Sequence, residues 1–492
     1  MRGYHGRNIS KKINYENFET IDLPTEDLNW ATVSLSEVVN KGKRLEASTF
    51  NIERRKYEKI LESNKYPLIG LLSPEYVTHC YNGTRTKREY ISPEKPNAVK
   101  FLGGSEILDI YPKTDKYLDY TNPKYESYKV EKGDVLLTCS GTIGRVSFVL
   151  DNISNSLVSQ HVIKIRAKQF QGYLYAYLKT ELAQSYIKSN KYGSLVSHIE
   201  PEHLKEVPIP NPPTRIKEKI HNLIVKSYKS RDESNELIDE ATKLLVKELE
   251  LPSINKLKEE AFSYSKEINS FSCRLSELDG RLEGSYHIPF VKLMEDTLLE
   301  KADIKYLSDK DIVKNIVLPG RFTRIYVDKD SGIPFIGGKD LFQLKSDTGK
   351  YLSKKAHKDR LKKELLIKEN SIILPSRGTI GEVMLSMPHQ IKKCAISDNL
   401  IQIESTSNYV GYIYIFLNSE YGKGLIYRQK YGGVVNAIEP SQLEKIGIPF
   451  SKNETFVKKI NEIAIRANNL RYEAYKLEQE AIKIMNEEVL GL

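Results

Sequence analysis

The chain has only four cysteines in 492 residues, Cys80, Cys139, Cys273 and Cys394, all far apart. None forms a Cys-x-x-Cys pair, so neither a zinc site nor a disulfide framework is indicated, and free thiols of a cytoplasmic protein are expected. No run of 18 or more apolar residues is present, which excludes a transmembrane helix of ordinary length. The opening Met-Arg-Gly-Tyr-His leads into polar sequence without the apolar block of a secretory signal.

Enzyme signatures are missing as well. There is no Gly-x-x-x-x-Gly-Lys-Ser/Thr phosphate loop and no Gly-x-Gly turn after an early strand. The nine histidines show no His-x-x-x-His spacing for one helix face. Asp328-Lys329-Asp330-Ser331-Gly332 resembles the start of a calcium loop, but its twelfth position is Lys339 where a bidentate carboxylate is needed. Asn211-Pro212-Pro213-Thr214 resembles the catalytic tetrapeptide of adenine-N6 methyltransferases, yet Thr214 stands where an aromatic residue would stack on a flipped base. Its prolines fit a stiff hinge between a domain and a helix better. No catalytic residue and no metal site are assigned.

What is present is an excess of positive charge, +10 with a pI near 9.0, which favours a polyanionic partner. The chain also repeats itself. RLEAS at Arg44–Ser48 recurs as RLEGS at Arg281–Ser285, and FLGGSEIL from Phe101 as FIGGKDLF from Phe335. SGTIGRV from Ser140 recurs as RGTIGEV from Arg377, GYLYAYL from Gly172 as GYIYIFL from Gly411, and KYGSLVSHIEP from Lys191 as KYGGVVNAIEP from Lys430. The offset stays between 234 and 239 residues, close to half the chain, so each copy is a domain and not a solenoid repeat. Residues 51–100 and 286–334 share almost nothing, as expected of two readers of different ligands on one scaffold.

Within a copy the short β-rich runs Asp134–Cys139 and Arg145–Leu150 flank Gly141 and Gly144, which read as a turn; Ser371–Leu374, Gly378 and Gly381 repeat it. A strand follows at His161–Ile165 or Asn399–Ile403, then a helical run at Tyr173–Tyr186. Pro201 and Pro440 fit the first position of a short helix. Each copy ends on a β-like run, 207–210 or 446–450. The fold class is α/β (α+β), a tandem duplication of a strand-rich domain, each followed by a long helix.

Those helices are expected at about 214–249 and 455–488. In the second, Phe456, Ile460, Ile463, Ala467, Leu470, Ala474, Leu477, Ala481 and Ile484 step by alternating fours and threes, an a/d seam over about four heptads. The matching positions of the first are Ile216, Ile220, Leu223, Ser227, Ser230, Ser234, Leu237, Ala241 and Leu244, apolar at the ends and serine in the middle. Antiparallel pairing as a coiled coil, Ile216 near Ile484 and Ser230 near Leu470, sets large against small and permits close approach. Leu470→Asp is then expected to cost several kcal/mol. Pro252 stops the first helix. The organisation is an N-terminal extension (1–28), a first domain (29–213), a central helical spacer (214–270), a second domain (271–453) and a C-terminal helical spacer (454–492).

This arrangement resembles the specificity subunit of type I restriction–modification systems. The resemblance rests on the element at 133–144 and 370–381 and on the Tyr-Gly…Ile-Glu-Pro…Ile-Pro element at 192–210 and 431–449. It covers nearly the whole chain from about residue 30, with Glu382 standing where the first copy has Arg145. It implies a non-catalytic adaptor on double-stranded DNA, each domain reading one half of a bipartite site while the helices set the spacing. It implies two methyltransferase subunits and a motor–nuclease subunit as partners, with S-adenosylmethionine, ATP and Mg on those partners and no cofactor in this chain. A stand-alone methyltransferase or nuclease with its own recognition domains, or a coiled-coil scaffold that binds only proteins, are the alternatives. The candidate DNA contacts are Lys191, Tyr192 and Ser194 with Lys430 and Tyr431, a basic-aromatic-glycine loop, and Ser140, Thr142 and Arg145 with Arg377 and Thr379 at the hairpin turn. Because Gly-Thr-Ile-Gly is kept in both copies it reads as framework, which moves base reading to the divergent stretches 51–100 and 286–360. Arg85, Lys87, Arg88, Arg321, Arg324 and Lys339 are the candidates there.

Overall fold

The computed structural model describes residues 32–40, 43, 50, 52–192, 197–261, 271–345 and 348–492. Ser194 and the N-terminal extension 1–28 lie outside these residues. The two halves have one topology. In the first, a four-stranded antiparallel sheet runs in the order Val77–Asn82, Val162–Ala167, Val135–Thr138, Val146–Phe148. In the second the order is Val313–Val317, Leu400–Ser405, Ser371–Pro375, Met384–Leu385. Each half adds a three-stranded sheet in which Ala98–Leu102 or Gly332–Ile336 pairs parallel to a short strand at Leu157–Val158 or Ala395–Ile396. A two-stranded ladder closes each domain, Leu68–Gly70 with Pro208–Pro210 and Asp303–Tyr306 with Gly447–Phe450.

The duplication therefore extends into stretches whose sequences look unrelated. Val77–Asn82 and Val313–Val317 lie at the sheet edge with two exposed residues each and one fully buried, so packing constrains them less than the central strands. The central strands Val135–Thr138 and Ser371–Pro375 are buried throughout and read as continuous apolar runs.

The helical run predicted at Tyr173–Tyr186 is two helices in each copy. Gln171–Leu178 ends before Thr180, whose hydroxyl caps Glu181–Ser189 by accepting from the Ala183 N–H at 3.2 Å. Ser419 does the same between Val410–Asn418 and Glu420–Gln429. A hydroxyl that can replace a backbone partner starts a new helix there. The repeated glycine of GYLYAYL and GYIYIFL has a packing reason. A Cβ on Gly172 would sit 2.8 Å from the His221 carbonyl oxygen, and one on Gly411 would sit 2.5 Å from that of Asn461. Each glycine N–H instead donates to the long helix beneath it, to His221 Nδ1 at 3.0 Å and to Asn461 Oδ1 at 2.7 Å.

The long helices are Thr214–Glu248 and Glu454–Ile484, the second running on in a wider turn to Leu490. They lie antiparallel. Lys219 meets Glu488 at 3.3 Å, the Ser227 hydroxyl donates to the Ala474 carbonyl at 2.7 Å, and the Ser451 hydroxyl donates to Glu248 at 2.9 Å. Each helix serves both domains. The first-domain core takes Ile220, Ile224 and Tyr228 from the first helix, and Ala481, Ile484, Met485 and Leu490 from the end of the chain. The second-domain core takes Ile238, Ala241 and Leu245 from the first helix, and Val457, Ile460 and Ala464 from the second. Part of the expected spacer is likewise core: Ile254–Ala261 is a helix whose Leu257 is buried in the second domain.

This double duty corrects the predicted seam. Ile220, Ser227, Ser234 and Ala241 are buried as expected, as are Ile460, Ala467, Ala474 and Ala481. The alternate positions shift by one residue: Ile224, Arg231, Ile238 and Leu245 are buried, while Leu223, Leu237 and Leu244 are half-buried; Ser230 is buried too. In the second helix Ala464, Arg471 and Glu478 take the places expected for Ile463, Leu470 and Leu477, and Ile216 and Phe456 are half-buried. A helix that also roofs a domain buries a wider face than a coiled-coil seam, and the centre of that face is displaced. Leu470 is at its margin, so Leu470→Asp is not expected to disrupt the pairing.

The displaced face is partly ionic. Glu478, 4% exposed, pairs with Arg231 and with Lys179 Nζ at 2.8 Å. Arg471, 1% exposed, donates to Ser234 Oγ, Asn235 Oδ1 and the Tyr414 hydroxyl. Burial would raise the Glu478 carboxyl, but Lys179 and Arg231 hold it down at about 2. Two outcomes are expected. Glu478→Ala should cost about 3–5 kcal/mol in denaturant unfolding, because it strands buried cations, while Leu470→Asp stays within about 1 kcal/mol of wild type. A folded-state value below the ordinary 4.5 gives stability that is present above pH 4.5 and fades as pH falls toward 2. The stability difference between wild type and Glu478→Gln should therefore shrink across that window in urea titrations at stepped pH.

Candidate nucleic-acid interface

The hairpin turn after each central strand is built on glycine. Gly141 and Gly144 have φ of +71° and +89°, and Gly378 and Gly381 have +80° and +99°. The left-handed region is open to glycine at little cost, which explains why Gly-Thr-Ile-Gly is kept in both copies. The Thr138 hydroxyl closes the first turn, donating to the Thr142 carbonyl at 2.6 Å and accepting from the Arg145 N–H at 3.0 Å. Beside each turn lies the Lys-Tyr-Gly loop. Ser140 bridges to His198 and Arg377 to Ala437, and the same residues pair with Tyr192 and Tyr431.

The two tyrosines are pins of the fold. Tyr192 donates to Glu200 Oε1 at 2.7 Å and Tyr431 to Glu439 Oε1 at 2.6 Å. The bond to the Glu200 carboxylate pushes the Tyr192 phenol up to about 12. The following Pro201 and Pro440 each open a short helical turn, as the sequence predicts. Asn211 sits where Pro208–Pro210 runs into the first long helix, and its side chain accepts from Lys217 Nζ at 2.8 Å, in keeping with a hinge.

An open cleft of ≈ 710 Å³ lies between this loop and the sheet in the first domain. Arg85, Arg88, His161 and His198 bring its positive or protonatable groups, and Gln160 and Asn82 its amides. The Arg88 guanidinium lies 4.8 Å from the centre of the Phe101 ring, and its NH2 donates to Gln160 Oε1 at 2.6 Å. Tyr90 packs on the same ring, centroids 6.2 Å apart. The second domain repeats the arrangement: Arg324 lies 5.5 Å from the Phe335 ring centre, Tyr326 packs on that ring at 6.2 Å, and Arg324 pairs with Asp398. A guanidinium beside a ring keeps its charge in that position.

The remaining predicted residues divide. Thr142 and Thr379 are exposed at the turn tips, and Arg85, Lys87, Arg321, Lys339, Lys191 and Arg377 are exposed. Lys430 lies half-buried with Nζ 5.2 Å from the Tyr427 ring centre, and its carbonyl accepts from Arg281. Arg145 does not belong to this face: it donates to Gln343 of the other domain at 3.1 Å. Its counterpart Glu382 likewise faces across, pairing with Lys113 at 3.1 Å. The domains touch where Asp109 bridges Gln343, its own equivalent in the repeat. The charge reversal between copies thus falls at an interdomain contact.

Gln160, His161, His198, Asp398 and Asn399 were not singled out from the sequence. The signal was there in Arg85-x-x-Arg88-x-Tyr90, which recurs as Arg321-x-x-Arg324-x-Tyr326 inside stretches that otherwise share little. Among the described residues, no group of three or more His, Cys, Asp and Glu side chains is placed to hold a metal ion, and no helix is long and apolar enough to cross a membrane.

Residues 28–242 match the family model described as the type I restriction modification DNA specificity domain. No curated protein matches the chain. Among solved structures, the S subunit of a type I restriction–modification system from M. genitalium is 15% identical with a TM-score of 0.33, covering 87% of this chain and 96% of that one. The HsdS subunit from Thermoanaerobacter tengcongensis is 13% identical with a TM-score of 0.27, covering 87% and 97%. The family match spans the first domain and most of its helix, and the second half repeats that domain motif by motif and strand by strand. Over residues 28–242 the chain is thus similar to the type I restriction modification DNA specificity domain.

Proposed function

We propose that this DNA sequence-recognition subunit reads a bipartite site, one half with each domain, and that the paired helices fix the gap between the halves. The observation that carries this reading is the second occurrence of the arginine–aromatic cluster, on the same frame in the other domain and with a different polar partner. Two equal readers on one strut suit two half-sites, since phosphate contacts supply affinity and base edges supply the sequence. Residues exposed on this face, Arg85, Lys87, Arg321, Lys191, Thr142, Arg377 and Thr379 among them, are its DNA contacts in this reading, with Lys430 at its edge.

The reading extends to partners. Two methyltransferase subunits dock on the helices and a motor–nuclease subunit joins them, with S-adenosylmethionine, ATP and Mg on those subunits, in the cytoplasm. This chain then positions chemistry done elsewhere. A chain that both reads and modifies DNA is the competing view; the placement of Asn211–Thr214 at a strand-to-helix hinge disfavours it.

Three outcomes are expected. The purified chain should transfer no labelled methyl group to DNA and cut none; methyl transfer that survives Pro212→Ala would sink the adaptor reading. Exchanging the first domain for that of a relative should change one half-site in methylome sequencing and leave the other half and the gap alone. The gap itself should respond to the helices. Arg471 donates to Ser234 across the pair, so one heptad is inserted after Ser234 and one after Leu470. The paired insertion lengthens the strut by ~10 Å, about three base pairs. Half-sites should persist with a longer gap, whereas the single insertion breaks the ionic register and should lower the melting temperature.

A further inference from the structure

Laid on the common frame, the two domains present different polar residues at the same places. Gln160 and Asp398 each precede the strand that pairs with the central one, and each holds the ring-stacked arginine. His161 and Asn399 follow, both exposed. Ser140 and Arg377 occupy the residue before the glycine turn, and His198 and Ala437 are their bridge partners. Around these positions the frame is invariant: Phe101 and Phe335, Tyr192 and Tyr431, Glu200 and Glu439. The changing residues Gln160, His161 and His198 line the open cleft of the first domain beside Arg88, together with the constant Tyr192 and Glu200, and Ser140 reaches it through a 2.6 Å hydrogen bond between its hydroxyl and His161 Nδ1.

The chemistry of the changes is that of base edges. Gln and Asn offer a paired donor and acceptor that match adenine, Arg matches guanine, and Asp accepts from cytosine. The first domain offers Ser140, Gln160, His161 and His198; the second offers Arg377, Asp398, Asn399 and Ala437. The arginines differ in state as well. Arg88 is held by a neutral amide, and its Nε has no hydrogen-bond partner among the described residues. Arg324 is held by a carboxylate that balances its charge.

We propose that these positions, 140, 160, 161 and 198 and their equivalents 377, 398, 399 and 437, determine which bases each half-site contains, with Arg88 and Arg324 as the shared anchors. The proposal rests on the two-reader function above. It places specificity inside the repeated framework, at single positions where the copies disagree, and not in the divergent stretches as a whole.

The test uses the full-length chain, purified from its own cells with whatever subunits accompany it. Bound duplexes are selected from a random pool and sequenced, for wild type, Gln160→Asp and Asp398→Gln, with melting curves for each. Gln160→Asp should change preference by about tenfold or more at one or two positions of one half-site, leaving the other half and the gap untouched. Asp398→Gln should do the same in the opposite half and, by freeing Arg324, steepen the loss of binding with salt. Should one variant fail to fold, the other decides alone. A bipartite wild-type motif that both folded variants reproduce unchanged overturns this assignment and leaves the two-reader function standing. An even loss at all positions also overturns it, since a positioning role alone would produce that. A wild-type chain that selects no bipartite motif overturns both.

Discussion

Everything in this molecule hangs on two helices that run antiparallel while each also roofs both domains. Because a domain borrows the start of one helix and the end of the other, neither core is complete without the whole length of the chain between them. The distance between the two domains is therefore a property of helix geometry, about 1.5 Å per residue, and not of a flexible linker. Apolar packing alone would hold such a pair loosely, because a one-turn slide still sets small residues against small residues. The buried Arg231–Glu478–Lys179 cluster and the Arg471 bonds to Ser234, Asn235 and Tyr414 remove that freedom. A slide would strand charges away from water, so the polar groups fix the register more than they add to stability.

The sequence made the duplication legible because burial on both sides constrains residues, and constrained residues survive in two copies. The central strands, the Gly-Thr-Ile-Gly turn and the glycines against the long helices all have steric reasons to persist. The edge strands Val77–Asn82 and Val313–Val317 lack such reasons and differ in sequence, although they occupy equivalent places. The heptad was legible only in part. Counting apolar residues located Ile460, Ala467, Ala474 and Ala481, but it gave Leu470 a buried place that belongs to Arg471. Hydrophobic periodicity cannot register a buried arginine, because its burial depends on partners from distant segments, Ser234, Asn235 and Tyr414.

The candidate interface was legible at the level of loops and less so at the level of side chains. Arg88 and Arg324 stood out by charge, and their exposed neighbours Arg85 and Arg321 with them. That charge could not tell Arg88 from Arg145. Only contact geometry separates the arginine lying on Phe101 beside an open cleft from the one that reaches across to Gln343. The tyrosines have a structural task that their sequence context does not announce. A basic-aromatic-glycine loop resembles a groove contact, yet the Tyr192 and Tyr431 hydroxyls are spent on carboxylates of the next motif, which ties Lys-Tyr-Gly to Ile-Glu-Pro as one structural unit.

Under the proposed two-reader function, a protein that reads two different half-sites from one duplicated domain faces opposing demands. The frame must hold the backbone within a fraction of an ångström so that a side chain meets a base edge, and the residues on it must still be free to change. Separation of the two tasks residue by residue answers both. The turn glycines, the pinning tyrosines and the ring under the arginine supply rigidity and recur. The residues alternating with them, Ser140 or Arg377 before the glycine, Gln160 or Asp398 before the strand, are half-buried or exposed polar positions at the rim of the frame. A change at such a position alters hydrogen-bonding groups at fixed coordinates, so new specificity costs little stability, and a frame already copied once can be reused for another site.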